Sequence, residues 1–149
     1  MFGSGIPRVL IVEDDETVRG FLCRALERGG YEPVAVRTGE EALAVVRDST
    51  GVDAALIDGI LPDMHGVRLA EALLDDPAGA DVPICFVTGA IRDRWPAEAG
   101  VGALGKPFRI NDLNETVAGM LAWSAAGGSP NDARRASLRR LEQGFLVGP

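Results

Sequence analysis

Five short apolar runs recur along the chain, most of them followed by a stretch with helical spacing, and this alternation constrains the fold more than any other feature. The runs are Arg8–Val12 (RVLIV), Glu32–Val36 (EPVAV), Asp53–Ile57 (DAALI), Val82–Val87 (VPICFV) and Val101–Leu104 (VGAL). They have strand length, and nearly every residue in them is apolar, as in strands covered on both faces. From about residue 15 to 28, Val18, Phe21, Leu22, Ala25 and Leu26 recur at the three- and four-residue spacing of an amphipathic helix, which Gly29-Gly30 stops. Thr38 opens a second helix, and Glu41 three residues on completes a capping box. Ala42, Leu43, Val45 and Val46 give that helix its apolar side. A third helix is expected over about 67–74, and a last one over about 111–123 with Leu113, Val117, Met120 and Leu121 inward. The weakest helix is 92–99, because Pro96 fits only a first turn.

Strands alternating with helices imply a parallel sheet with helices on both faces. The expected class is α/β, a flavodoxin-like doubly wound five-stranded parallel sheet of the (βα)5 type. Pro33 places the second strand at an edge or makes it a strand start. Residues 1–7 are a lead, 8–124 the domain, 125–131 (AAGGSPN over 125–131) a linker, and 132–149 a short tail. Leu138, Leu141 and Phe145 share one helical face of that tail. A helix packed loosely on the domain is the expectation, and a docking helix for a partner or a second protomer, giving a homodimer, is the alternative.

Composition closes several routes. Net charge is −7, which argues against a body that grips nucleic acid by its phosphates. No apolar stretch approaches the roughly 18 residues of a membrane span. The first residues lack the layout of a signal peptide, so a cytoplasmic protein is expected. Cys23 and Cys85 lie inside apolar patterns without metal-ligand spacing and read as reduced thiols. Of 15 basic residues only Lys106 is a lysine, which matters where a compact point charge is needed.

In an open parallel sheet, ligands sit beyond the carboxyl ends of the strands. Here the first strand runs into Glu13-Asp14-Asp15-Glu16, the third ends at Asp58, the fourth at Thr88, and the fifth just before Lys106-Pro107. Converging carboxylates repel one another, and a hard dication such as Mg²⁺ relieves that with two or three carboxylates and a backbone carbonyl. Asp58 could then act as a nucleophile toward an anionic phosphoryl group. Thr88 can donate to a phosphoryl oxygen, and Lys106 can supply positive charge.

The residues VLIVEDDE (9–16), LIDGILPDMHG (56–66), VTG (87–89) and GKPF (105–108) resemble the response-regulator receivers of two-component signalling, in order and in interval, over about residues 7 to 123. The resemblance implies that Glu13 and Asp14 bind Mg²⁺ and that Asp58 is both metal ligand and phosphoacceptor. It implies that Ile60 offers its backbone carbonyl to the metal, and that Thr88 and Lys106 contact the phosphoryl group. The phosphoryl group would come from a sensor histidine kinase or a histidine phosphotransfer protein, and the output would be binding of a downstream protein. Self-phosphorylation and slow autodephosphorylation are then the only chemistry, so a turnover enzyme is not expected. Asp15 reads as the helix N-cap. His65 reads as an exposed bystander and Gly66 as a loop residue.

Two departures stand out. Receivers usually carry an aromatic residue three positions before the lysine, where this chain has Ala103. Trp95-Pro96 also falls in a segment that most receivers use for output. A phosphorylation-independent receiver-like adaptor is therefore the alternative. An aspartyl-phosphate hydrolase would need an acid at Ile60, and a flavodoxin would need a neutral phosphate loop where the four acids stand. The stretch of about 25 residues after Trp123 is too short for a DNA-binding domain.

Overall fold

The computed structural model describes residues 5–89 and 94–146. Arg92, and the side chains of Trp95 and Phe145, lie outside the described parts. The elements are β1 (Arg8–Val12), α1 (Glu16–Arg28), β2 (Glu32–Val36), α2 (Gly39–Arg47), β3 (Ala54–Asp58), α3 (Gly66–Asp75), β4 (Ile84–Thr88), β5 (Arg94–Glu98), β6 (Val101–Gly105), α4 (Ile110–Ala125) and α5 (Asn131–Leu141). Their sheet is six-stranded, in the order β2-β1-β3-β4-β6-β5. Five strands are parallel, and β5 pairs antiparallel with β6 at the edge. The flavodoxin-like α/β class holds, with β2 and its Pro33 at the other edge.

Alternate strand residues feed two cores, as the pleat requires. Leu10, Val12, Ala55, Ile57, Ile84, Phe86, Val101 and Ala103 pack under α2, α3 and α5. Val9, Ile11, Ala54, Leu56, Cys85, Val87 and Leu104 pack under α1 and α4. Asp15 caps α1 by accepting from Val18 N–H at 2.9 Å, and Thr38 and Glu41 form the capping box of α2. Both cysteines are free thiols. Among the described residues no helix is long and apolar enough to cross a membrane.

Two expectations are corrected. The stretch expected to be helical over 92–99 contributes a strand instead, β5. It turns back into β6 through Ala99 and Gly100, both at positive φ (54° and 71°), the backbone pattern of a two-residue hairpin whose twist suits antiparallel neighbours. Pro96 is tolerable there because an edge strand leaves half its amides outside the ladder. No helix therefore crosses from β4 to β6 among the described residues, and α5 takes over the sheet face it would have covered.

That makes the tail helix part of the domain rather than a loose attachment. Leu138 and Leu141 are 3% and 1% exposed in the core shared with α2 and α3. Arg134 is fully buried. Its guanidinium donates to the carbonyls of Ala99 (3.0 Å), Val82 (2.5 Å), Gly100 (3.3 Å) and Ala80, and lies 4.7 Å from the Trp123 ring centroid. Burial pushes its pKa down to about 10, so it stays charged at neutral pH. Arg135 pairs with Asp75 at the end of α3, and Arg140 with Glu98 of β5 at 3.0 Å.

Removing the Arg134 guanidinium strands buried carbonyls, so Arg134→Met should cost about 3 kcal/mol in denaturant unfolding. Deleting residues 126–149 should lower the melting temperature further and produce binding of a hydrophobic dye. A truncated chain that melts like the full one would show that α5 is dispensable.

Candidate functional site

The carboxyl ends of β1, β3 and β4 and the loop after β6 meet at one end of the sheet. The residues expected at the site converge there. Glu13, Asp14 and Asp58 each offer a carboxylate oxygen within 4.8 Å of the others. Glu13 is 2% exposed, whereas Asp14 is exposed. Lys106 Nζ stands 3.0 Å from Glu13 Oε1 and 3.7 Å from Asp58 Oδ1, so its ammonium is shared between two carboxylates. The Lys106 amide donates to the Thr88 carbonyl at 2.8 Å, tying the lysine loop to β4, and the Lys106–Pro107 peptide is cis. Thr88 is the last residue of β4 and 7% exposed; a Cβ placed on Gly59 would stand 3.3 Å from its hydroxyl.

The Asp58 carboxyl is pushed up to about 6. Burial is the main cause and the Glu13 carboxylate the next, while Lys106 and the Ile60 amide pull it back. Ile60 and His65 form an antiparallel bridge whose bonds run from Leu61 N–H to the Met64 carbonyl (3.0 Å) and from Gly66 N–H to the Gly59 carbonyl (2.8 Å). Neither bond uses the Ile60 carbonyl. The Ile60 side chain is 72% exposed at the rim. Three carboxylate oxygens held this close are a donor set that suits a small hard dication.

Four residues matter to this geometry in ways the sequence reading did not assign. Gly66 is pressed against the strand end so closely that a Cβ would stand 2.4 Å from the Asp58 carbonyl oxygen. His65 is exposed as expected, but it also caps α3, its Nδ1 accepting from Val67 N–H at 3.3 Å. Asp63 reaches across to α2 and accepts from Gly39 and Glu40 N–H at 2.9 and 3.0 Å, bonds that hold its carboxyl below the usual range. Arg19, in the first turn of α1, donates to the Glu13 and Asp14 carbonyls at 3.0 and 3.2 Å. For Gly66 and Asp63 the signal was position, a few residues past Asp58; Arg19 looked like an ordinary helix-surface cation.

The model of the response regulator receiver domain family matches residues 9–118. The chain belongs to the response-regulator receiver family. This receiver is 33% identical over 119 residues to the response regulator receiver protein CpdR of Brucella abortus, covering 76% of this chain and 96% of that protein. It is 37% identical over 123 residues to the sensor kinase CckA of the same organism, covering 79% of this chain but only 13% of the kinase. Among several other curated relatives, the receiver spans about half of their length. A CheY-like receiver domain from Methanospirillum hungatei superposes with a TM-score of 0.70 at 26% identity, covering 83% of this chain and all of that one.

The buried, repelled state of Asp58 has a measurable cost. Its folded pKa lies above its unfolded value, so its favourable contribution is present at acid pH and is lost as pH rises through about 6. Without divalent metal, Asp58→Asn should therefore stabilise the receiver at pH 7.5 by about 2 kcal/mol. The gain should vanish by pH 4, measured by denaturant unfolding across that range. A gain independent of pH would mean that Asp58 is not repelled in the folded state.

Proposed function

We propose that this receiver accepts a phosphoryl group on Asp58 from a phosphohistidine, on a sensor kinase or a histidine phosphotransfer protein, and signals by binding a downstream protein. The observation that carries the reading is the convergence of Glu13, Asp14 and Asp58 at the open end of the sheet, with Lys106 paired to Glu13 and Asp58. Glu13, Asp14, Asp58 and the Ile60 carbonyl would hold Mg²⁺, which when bound would screen both the carboxylates and the incoming phosphoryl charge. An Asp58 Oδ attacks phosphorus, the P–N bond to the imidazole breaks, and the freed imidazole keeps the electron pair. Burial and the Glu13 carboxylate push the metal-free Asp58 carboxyl up to about 6, and a dication held among the acids would favour its ionised, nucleophilic form. Lys106 offers charge, and Thr88 a hydroxyl, to the transferred group. The phosphoryl group later leaves by slow hydrolysis, and a multiple-turnover reaction is not part of this reading. The work fits a cytoplasmic protein.

Ala103 favours a second reading, a receiver-like adaptor that binds partners without phosphorylation. Ala103 is buried under the face that α5 covers, so the usual aromatic reporter is missing from β6.

Incubation of wild type with acetyl phosphate and Mg²⁺ should add the mass of one phosphoryl group to the intact protein. Asp58→Asn, or wild type with chelator, should add none. Absence of an adduct under every condition, together with no binding of beryllofluoride, would leave the adaptor.

A further inference from the structure

We propose that Arg19 is a positioning residue for the acid pair, setting the directions of Glu13 and Asp14 by holding their backbone from α1. This inference rests on the reading of Glu13, Asp14 and Asp58 as a metal site.

Arg19 stands in the first turn of α1, behind the N-cap Asp15. A cation there opposes the helix macrodipole, whose positive end lies at the N-terminus. Local preference therefore speaks against it, and a side chain that breaks a local rule needs a compensating contact. The contact is specific. One nitrogen, Nη1, donates to both the Glu13 carbonyl (3.0 Å, part-buried) and the Asp14 carbonyl (3.2 Å, exposed).

These two residues are where the strand has ended and the helix has not begun. Glu13 N–H donates to the Val36 carbonyl at 3.1 Å, extending the β1–β2 ladder by one bond. Asp15 N–H donates to Glu13 Oε2 at 3.2 Å, and the Asp15 side chain is spent on the cap. The pair's carbonyls thus lie between two regular elements, and Arg19 is what bonds them from the helix side. Fixing both peptide planes narrows the directions from which the Glu13 and Asp14 carboxylates leave the chain. Outer partners that fix ligand orientation commonly change metal affinity by a factor of 10 to 100.

Charge and positioning predict opposite signs. Removing a positive charge beside a dication site would by itself tighten Mg²⁺ binding. Removing the clamp loosens it. Arg19→Gln deletes both charge and reach, and Arg19→Lys keeps a charged donor of nearly the same length.

The test is an NMR titration of wild type, R19Q and R19K with MgCl₂, following the amide shifts of Gly59 and Lys106, beside a melting curve of each metal-free protein. The expected result is an Mg²⁺ dissociation constant about tenfold weaker in R19Q and largely restored in R19K. Adduct formation from acetyl phosphate in R19Q should recover at saturating Mg²⁺, because Asp58 itself is untouched. Equal or tighter Mg²⁺ binding by R19Q overturns the proposal. So does a loss of affinity that R19K does not restore, or one that merely follows a large fall in melting temperature. Absence of Mg²⁺ binding by wild type overturns instead the metal reading on which it rests.

Discussion

A parallel sheet with apolar side chains on both faces has to be covered on both, and most of this molecule follows from that demand. Each strand sends alternate residues up and down, so an uncovered face would leave Ile84, Phe86, Val101 and Ala103 in water. Crossover helices normally do the covering. Here β5 lies along the sheet edge and turns directly into β6, so among the described residues no helix of the β4–β6 connection covers that face. α5 arrives from the far end of the chain to lie there, packed on α3 and β6. Its fastening reflects its origin. A crossover helix is held by two short covalent loops, whereas α5 is held by one loop and three arginines, of which Arg134 is buried and Arg135 and Arg140 pair at the rim. The rim pairs are worth little each. Arg134 is the strong one, because removing it would leave carbonyls of two chain segments without a donor.

The same sheet makes the site costly. Parallel strands point their carboxyl ends one way, so the acids that follow β1 and end β3 are brought together whatever their mutual repulsion. The molecule tolerates this in two ways. Lys106 shares its charge between Glu13 and Asp58, and Asp58 has its proton affinity raised. Both are reversible, as the proposed uptake of a dication and a phosphoryl dianion requires. An apolar repacking of the same volume would be more stable but could bind neither.

Sequence reasoning reached what depends on neighbours along the chain. Strand runs, the Thr38–Glu41 box, the Asp15 cap and the polar strand ends are local patterns, and the structure has all of them. It missed what depends on partners far away. Residues 94–98 have no strong strand alternation, and Ala99-Gly100 is not one of the common hairpin pairs, so Pro96 pointed to a weak helix rather than an edge strand. In the tail, Leu138 and Leu141 were legible as a face, but which surface that face meets depends on the sheet face that β4 and β6 present. Arg134 had no signature at all, since its partners are main-chain carbonyls and composition places an arginine on the surface.

Three polar side chains sit where local preference argues against them, and they differ in what they serve. Asp58 is buried beside another carboxylate, and Arg19 occupies the positive end of a helix; both belong to the end of the sheet where acids converge. Arg134 is at the opposite end, against the turn that opens β6 and the approach to β4. Its burial answers a topological need rather than a chemical one. One guanidinium with several donors serves the carbonyls of Ala80, Val82, Ala99 and Gly100 across the hairpin turn and the approach to β4. The buried charge far from the site thus serves the fastening of α5, and Ala103 lies under the same helix. The small residue in β6 and the helix from the tail therefore occupy one face of the sheet and share one core.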